Sequence, residues 1–555
     1  MARWTLGTWL GAGLALTATV AGAPGAAAQA QADPSRIVIL VGGEAFAPVP
    51  TLNEGAQTSA ANTDLADQMF LHLAELGPTL LTAGDKAFEP ALARSWTRRD
   101  SVTLVFDLDP RATWQDGVPV TAQDVVFTFT RARNPTLAPR LSNLLRRIAS
   151  VTAEGDRRVV FRYTRPYGEQ LYDAVFHAAP LPAHLLARIP PDSLAMSSFA
   201  QAPVGNGPYR WVRRVPGQVV ELEANPRFFL GPPAIRHVFY RLATDAQARL
   251  NLLLGGEADA IDVIPAPRSN VDRVTAQRNL RIVSYPTSTL GFLLFNQRDP
   301  RDRERPHPIL SDHDVRRAIG LALDRRRMLR TTFGTLADVP YGPASALLWI
   351  SHGSPEPAGQ NVPEARRLLS ARGWADHDGD GTLDKDGIPL ALTILLPSSS
   401  AFRLQLAQIA QEQLRQIGIR VELVAVEFSL YNERRSEGRF DIDFAATLQD
   451  PSPTGLTQGW SCAGGPGTNV ARYCDPQVDS LIEAATFATT DVQQAWHAVL
   501  RRIEADAPAV FMYAPTFQAV VDRRFGNVRI RPESLWLGLR QWTVSGRSVS
   551  RPVGY

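Results

Sequence analysis

Between Ile388 and Val426 the chain declares a parallel pair of strands. Ile388 to Leu396 is an apolar run of strand length, Phe402 to Ile417 has helical length and is stopped by Gly418, and Ile419 to Val426 reads as a second strand. Parallel neighbours cannot be joined by a tight turn, so strand, helix and strand in this order imply a right-handed crossover. This half of the chain is therefore α/β.

Length and composition bound the rest. Met1 to Ala30 carries Arg3, an apolar run from about Leu10 to Val20 and the small-residue tail Ala26 to Ala30, which reads as a cleavable secretory leader cut after Ala28 or Ala30; the run is too short to span a bilayer. No Cys follows it, so a lipid-anchored form is not expected, and the mature chain is expected to be periplasmic or secreted. What remains of the 555 residues exceeds what one hydrophobic core organises, so two or three packed units are expected. The formal charge of +3 is small and dispersed, which argues against a nucleic-acid binder. Lys86 and Lys385 are the only lysines, and no phosphate-loop string G-x-x-x-x-G-K-[ST] occurs.

Cys462 and Cys474 stand twelve apart in a Gly-rich stretch. In an exported chain they read as a disulfide worth about 2–3 kcal/mol through loop entropy, whereas a metal site would need a nearby His. Asp376, Asp378, Asp380, Thr382 and Asp384 follow the pattern of a calcium loop, with Gly381 at the turn. Gly387 stands where the bidentate Glu is required, and flanking helices are lacking. Two readings stay open, a structural calcium or a solvated Asp/Gly turn leading into the strand at Ile388.

The sequence speaks to three enzyme classes. No H-E-x-x-H string exists, and Gly459-Trp-Ser-Cys-Ala463 lacks the final Gly and the leading strand of a nucleophile elbow. Carboxylate pairs occur in any chain of this size, so a secreted hydrolase stays open as a rival reading. Pro203-Val-Gly-Asn-Gly-Pro-Tyr209 has G-x-G without the third glycine, and Pro208 spoils a dinucleotide-binding turn, so a tight turn feeding a strand is expected. Apolar spacing predicts one helix from Thr63 to Leu76, through Leu65, Met69, Leu73 and Leu76, and another from Asp314 to Leu329.

The densest pattern lies between Val102 and Phe129. A strand alternates to Leu108, Asp109-Pro110 and Gln115-Asp116-Gly117 punctuate turns, and Thr121 stands as N-cap with Asp124 three residues on. The string Trp-x-Asp-Gly-x-Pro-x-Thr-Ala-x-Asp-Val-x-Phe, from Trp114 to Phe127, follows Ala91-Leu-Ala-Arg-Ser-Trp96. Together they resemble the signature of the family 5 extracytoplasmic solute-binding proteins, the peptide and nickel receptors of ABC importers. Similar strings at Pro203 to Tyr209, Leu252 to Ala260, Asp314 to Arg325 and Asn469 to Asp479 extend the resemblance from about Ile37 to Val544.

The resemblance implies a two-lobed periplasmic-binding-protein-like fold of the class with an extra subdomain, its mixed sheets flanked by helices. Residues 31–60, 175–295 and 520–555 would form lobe I, 61–174 the extra subdomain with the signature, and 296–519 lobe II, with the crossing between lobes near Gly291 to Asn296. It implies no catalytic residue and no cofactor beyond the open calcium question. Expected partners are a small solute, short peptides foremost, and an ABC permease that supplies the sole contact with the membrane; the chain is expected to be monomeric. Nickel chelates, sugars and other small solutes remain alternatives. Thr58 and Ser59 lie in an early loop that the family keeps near its ligand. An Asp after the strand at Phe440 pairs with the ammonium group in peptide-binding members, within a Trp-x-x-Asp-x-x-Asp-Pro type string. Asp450 matches either Asp; if it matches the second, Thr447 takes the ammonium-binding place. Trp460 belongs to the same polar, proline-stiffened segment.

Overall fold

The computed structural model describes residues 34–42, 60–465 and 467–545. Thr58, Ser59 and the leader lie outside these. No helix among the described residues is long and apolar enough to cross a membrane.

A twelve-stranded mixed sheet runs through the molecule. At one end Arg36–Val41 lies parallel to His237–Leu242 and to Ala260–Ile261, and Val219–Ala224 and Tyr209–Val215 add an antiparallel edge. At the other end Ala391–Pro397 lies parallel to Arg420–Val426, with Leu392 opposite Val421. The helix Ala401–Arg415 makes the crossover between them. Each end buries its own apolar cluster: Val38, Leu40, Leu250 and Val520 in the first, Leu368, Ile394, Leu406 and Leu414 in the second. Each such side chain contributes roughly 1.5–3 kcal/mol on leaving water.

The long strand Ala509–Asp522 serves both ends. Its first part pairs with Thr289–Phe295 and its second with Leu280–Pro286. The chain thus passes between the two halves at Thr287-Ser288 and again at Ala514-Pro515. The Thr287 N–H and hydroxyl both donate to the Pro515 carbonyl, at 3.2 and 3.1 Å. Thr289–Phe295 already pairs with Ile442–Leu448, so the crossing comes a few residues before the Gly291 to Asn296 stretch read from the sequence. Gly291 serves packing there, since a Cβ would stand 2.1 Å from the Tyr513 ring.

A separate four-stranded antiparallel sheet has the order Ala93–Asp100, Thr103–Leu108, Arg158–Tyr163, Ile148–Glu154. The helix Ala122–Ala132 lies against it, Phe129 meeting Phe161 edge-on at 4.9 Å. Here the signature string acquires a physical account. One oxygen of the buried Asp124 carboxylate accepts from the Thr121 N–H at 2.8 Å, the Thr121 hydroxyl at 3.1 Å and the Trp114 indole at 3.3 Å. The other accepts from the Ala183 N–H at 2.8 Å. A carboxylate this buried is tolerated because its oxygens are saturated with donors. Asp116 caps its own turn through the Val118 N–H and pairs with His184 at 2.8 Å, so that histidine serves the turn.

Two predicted helices end early. The first stops at Met69, and Ala74–Leu76 is instead a strand paired with Phe88–Pro90. The Met69 carbonyl accepts from the N–H groups of Asn206 and Gly207 at 3.0 and 2.7 Å, and the Leu71 N–H donates to the Asn206 side chain at 2.8 Å. The turn from Pro203 thereby ends the helix from outside, and a Cβ on Gly205 would stand 2.0 Å from the Met69 oxygen. The second is broken into His313–Ala322 and Arg325–Phe333, because the Asp324 side chain caps a new helix through the Arg327 N–H at 3.0 Å.

Candidate functional site

The strand Ile442–Leu448 is buried over its first four residues and then emerges into polar loop. Beyond its C-terminal end a cavity of 240 Å³ opens, walled by Thr447, Gln449, Asp450 and Ser452 on one side and by the helix Leu456–Trp460 on another. Ligands of open α/β sheets sit in this position. Three residues chosen from the sequence, Thr447, Asp450 and Trp460, are therefore brought to one cavity.

Their environments differ. Trp460 is buried and meets Phe292 and Phe511 edge-on at 5.5 and 5.3 Å, so it makes an apolar wall with Phe292 and Leu294. The Thr447 hydroxyl lies 3.3 Å from the Leu448 carbonyl. Gln449 pins the loop: its amide donates to the Pro343 carbonyl at 2.6 Å and accepts from the Ser345 N–H at 2.8 Å. Its backbone N–H donates to Ser288, at the crossing between the halves, at 2.9 Å.

Arg435 also lines the cavity, and sequence reasoning missed it. Its Nε donates to Asp443 at 2.8 Å, and the Tyr431 hydroxyl donates to the other Asp443 oxygen at 2.8 Å. Asp443 is fully buried; burial raises its carboxyl and the Arg435 charge opposes that. Burial also works against the guanidinium charge, but Asp443 outweighs it and holds Arg435 above its ordinary value. The terminal nitrogens of Arg435 bond to none of the described residues. The cavity thus presents one cation and one carboxylate, Asp450, around an apolar wall. The signal that could have found Arg435 is an acidic residue, Asp443, at an inward position of a buried strand, which demands a cation nearby.

The Gly-rich rim is held covalently and by hydrogen bonds. Cys462 and Cys474 are joined, their Cα atoms 4.3 Å apart. The Asn469 side chain accepts from the Tyr473 N–H at 2.9 Å and donates to the Ser461 and Tyr473 carbonyls, while the Cys462 N–H donates to Asp479 at 3.0 Å. The Asn, Tyr and Asp of this string therefore shape the loop that places Asn469 and Val470 on the cavity edge.

In the acidic loop, carboxylate oxygens of Asp376, Asp378 and Asp380 lie within 4.8 Å of one another, all exposed. They also accept loop N–H groups: Asp376 from Gly379 and Gly381, Asp378 from Asp380, Asp380 from Thr382. Asp384 pairs with His377 at 2.9 Å and stands outside the cluster of three. A wider recess of 580 Å³, bordered by the solvent-exposed Arg326–Glu356 ion pair, contains none of the residues chosen from the sequence.

Residues 87–467 match the family of bacterial extracellular solute-binding proteins, family 5 Middle, and the chain belongs to that family. It is 27% identical over 523 residues to the oligopeptide-binding protein AppA of Bacillus subtilis, covering 89% of each chain. It is also 27% identical over 489 residues to a probable di/tripeptide-binding protein of Pseudomonas aeruginosa, covering 81% of this chain and 86% of the other. The solved structure of the Bacillus subtilis AppA with a nonapeptide superposes with a TM-score of 0.77 at 25% identity, over 92% of this chain and 99% of that one. The structure of NikZ from Campylobacter jejuni with Ni(L-His) gives 0.77 at 22% identity, over 92% and 100%. The fold is accordingly that of the two-lobed periplasmic binding proteins.

Proposed function

We propose that this chain is an extracytoplasmic receptor that captures a short peptide between its two lobes and delivers it to an ABC import permease. The observation that carries this reading is the cavity at the end of Ile442–Leu448, where Asp450 and Arg435 supply opposite charges around the wall of Phe292, Leu294 and Trp460. Asp450 receives the ammonium end, the free nitrogens of Arg435 receive a carboxylate as a fork, and the wall takes an apolar side chain. The similarity to two peptide-binding relatives supports the same class. The two crossings at Thr287-Ser288 and Ala514-Pro515 supply a hinge for opening and closing. Binding is non-covalent, and the protein works as a monomer exported by the Met1 to Ala30 leader.

A peptide library incubated with the mature protein, followed by mass spectrometry of what is retained, tests this reading. Intact short peptides are expected; turnover, or retention of no peptide, overturns it. In calorimetry Asp450→Asn should weaken Ala-Ala-Ala binding by about tenfold, the ~1.4 kcal/mol of a charge-assisted bond. Binding of an N-acetylated peptide should not respond to that substitution.

A further inference from the structure

Away from the hinge, contacts between the two halves converge on one buried carboxylate. Every residue of the helix Gln170–Val175 is buried, and Glu169 precedes it. One Glu169 oxygen accepts from the Thr82 hydroxyl, and the other accepts from the Ser452 hydroxyl at 2.6 Å. Thr82 in turn accepts from the Trp349 indole at 2.9 Å. Thr82 and Glu169 belong to the half that carries the four-stranded sheet, Trp349 and Ser452 to the half that carries the cavity. Nearby, Arg165 stands 3.5 Å over the Phe487 ring and pairs with Glu483 at 3.1 Å, and Tyr167 meets Phe487 edge-on at 6.1 Å. Ser452 lines the cavity, two residues beyond Asp450.

We propose that Glu169 is a positioning residue for the ligand loop, fixing Ser452, and through it Asp450, only while the two halves are in contact. The proposal rests on the receptor reading. A carboxylate out of water is costly unless donors surround it, and one of the two hydroxyls here comes from the opposite half. Separation returns Glu169 to solvent and leaves the Ser452 hydroxyl only its local bonds to Thr454, so closing the molecule and fixing the cavity wall become one event. Burial raises the Glu169 carboxyl above its ordinary value, against the pull of Ser452 and Thr82. Asp173 adds to the rise and Arg147 opposes it, and Tyr172, which faces both Glu169 and Asp450, is the next titratable group. The closed arrangement therefore holds this proton more tightly than the open one. Contact is favoured at mildly acidic pH, and that favour is lost as pH rises through the raised value.

The test reads distance without solute. Spin labels at the exposed Arg162 and Asn432, on opposite halves, report the interlobe distance by pulsed electron resonance at about pH 5.5 and about pH 8. The wild type should show more of the short distance at the lower pH. Glu169→Gln, which keeps the shape and cannot ionise, should hold the short distance and lose the pH response. Glu169→Ala and Ser452→Ala should each lengthen it, the double variant no further than either, because the Glu169–Ser452 bond is the contact between the halves that both remove; the bonds of Ser452 to Thr454 lie within one half and leave the distance unchanged. Each alanine variant should weaken Ala-Ala-Ala binding by about tenfold. Ser452→Ala removes a single hydroxyl, so it still tests the contact if Glu169→Ala fails to fold. A wild-type distance in Ser452→Ala, additive alanine effects, or a pH response surviving in Glu169→Gln overturns the proposal. If the distances behave as stated and no peptide is retained, the receptor reading fails alone; if peptide binds and the alanine variants change neither distance nor affinity, the positioning role fails alone.

Discussion

Asp64 offers the sharpest test of how burial is balanced in this fold. It lies on the helix Ala60–Met69 and is 2% exposed; one of its oxygens accepts from the Ser534 hydroxyl at 3.1 Å and the Trp536 N–H at 3.3 Å. Burial pushes its carboxyl up from 3.8 to about 7; the neighbouring Asp67 adds to the rise, and the hydrogen bonds with Trp536, Ser534 and Leu535 oppose it. The folded state thus holds this proton more tightly than the unfolded chain. The associated stability is fully present below about pH 4 and is lost as pH climbs to about 7. Three units at 1.36 kcal/mol each make roughly 4 kcal/mol across that window. Asp64→Asn keeps an oxygen for both donors and removes the ionisation, at the cost of about 1–2 kcal/mol for an amide N–H without an acceptor. The variant should therefore be more stable than the wild type at pH 8, by about 2 kcal/mol, and no more stable near pH 4. Melting temperatures of the pair across this range provide the measurement, and their difference cancels the other buried carboxyls, Glu169, Asp443 and Glu533 among them. A difference that does not vary with pH, or a variant less stable at pH 8, would refute the reasoning.

Two further outcomes follow from geometry. Gly205→Ala should destabilise by about 1–3 kcal/mol or more, because its Cβ would stand 2.0 Å from the backbone oxygen of Met69; an unchanged melting temperature would show that the turn can move. Calcium should leave the melting temperature where a chelator leaves it, since the carboxylates of Asp376, Asp378 and Asp380 already close the loop on its own N–H groups. A calcium-dependent rise would favour the metal reading of that loop.

What the sequence made legible was local. The strand, helix and strand from Ile388 to Val426 could be read because the apolar period and the stop at Gly418 lie within the segment itself. Thr121 and Asp124 could be read because a cap closes over three residues. The cavity segment could be read because Thr447, Asp450 and Trp460 follow one another after a strand. The helix drawn to Leu76 failed because Asn206, far along the chain, takes the Met69 carbonyl, and periodicity contains no trace of that. The signature from Trp114 identifies the family, yet its Asp124 turns out to hold a helix, a turn and Ala183 together.

The sequence by itself determined the α/β class, the turns and caps, the family and the segment that lines the cavity. Tertiary structure alone decided that Arg435 reaches the cavity, held there by Asp443, and that Glu169 meets Ser452 across 283 residues of chain. The physical reason is the range of the interactions. Caps, turns and amphipathic faces are satisfied within a few residues, so their signals sit beside one another in the sequence. A buried charge is satisfied by whatever the fold brings to it, and neither partner records the other's position.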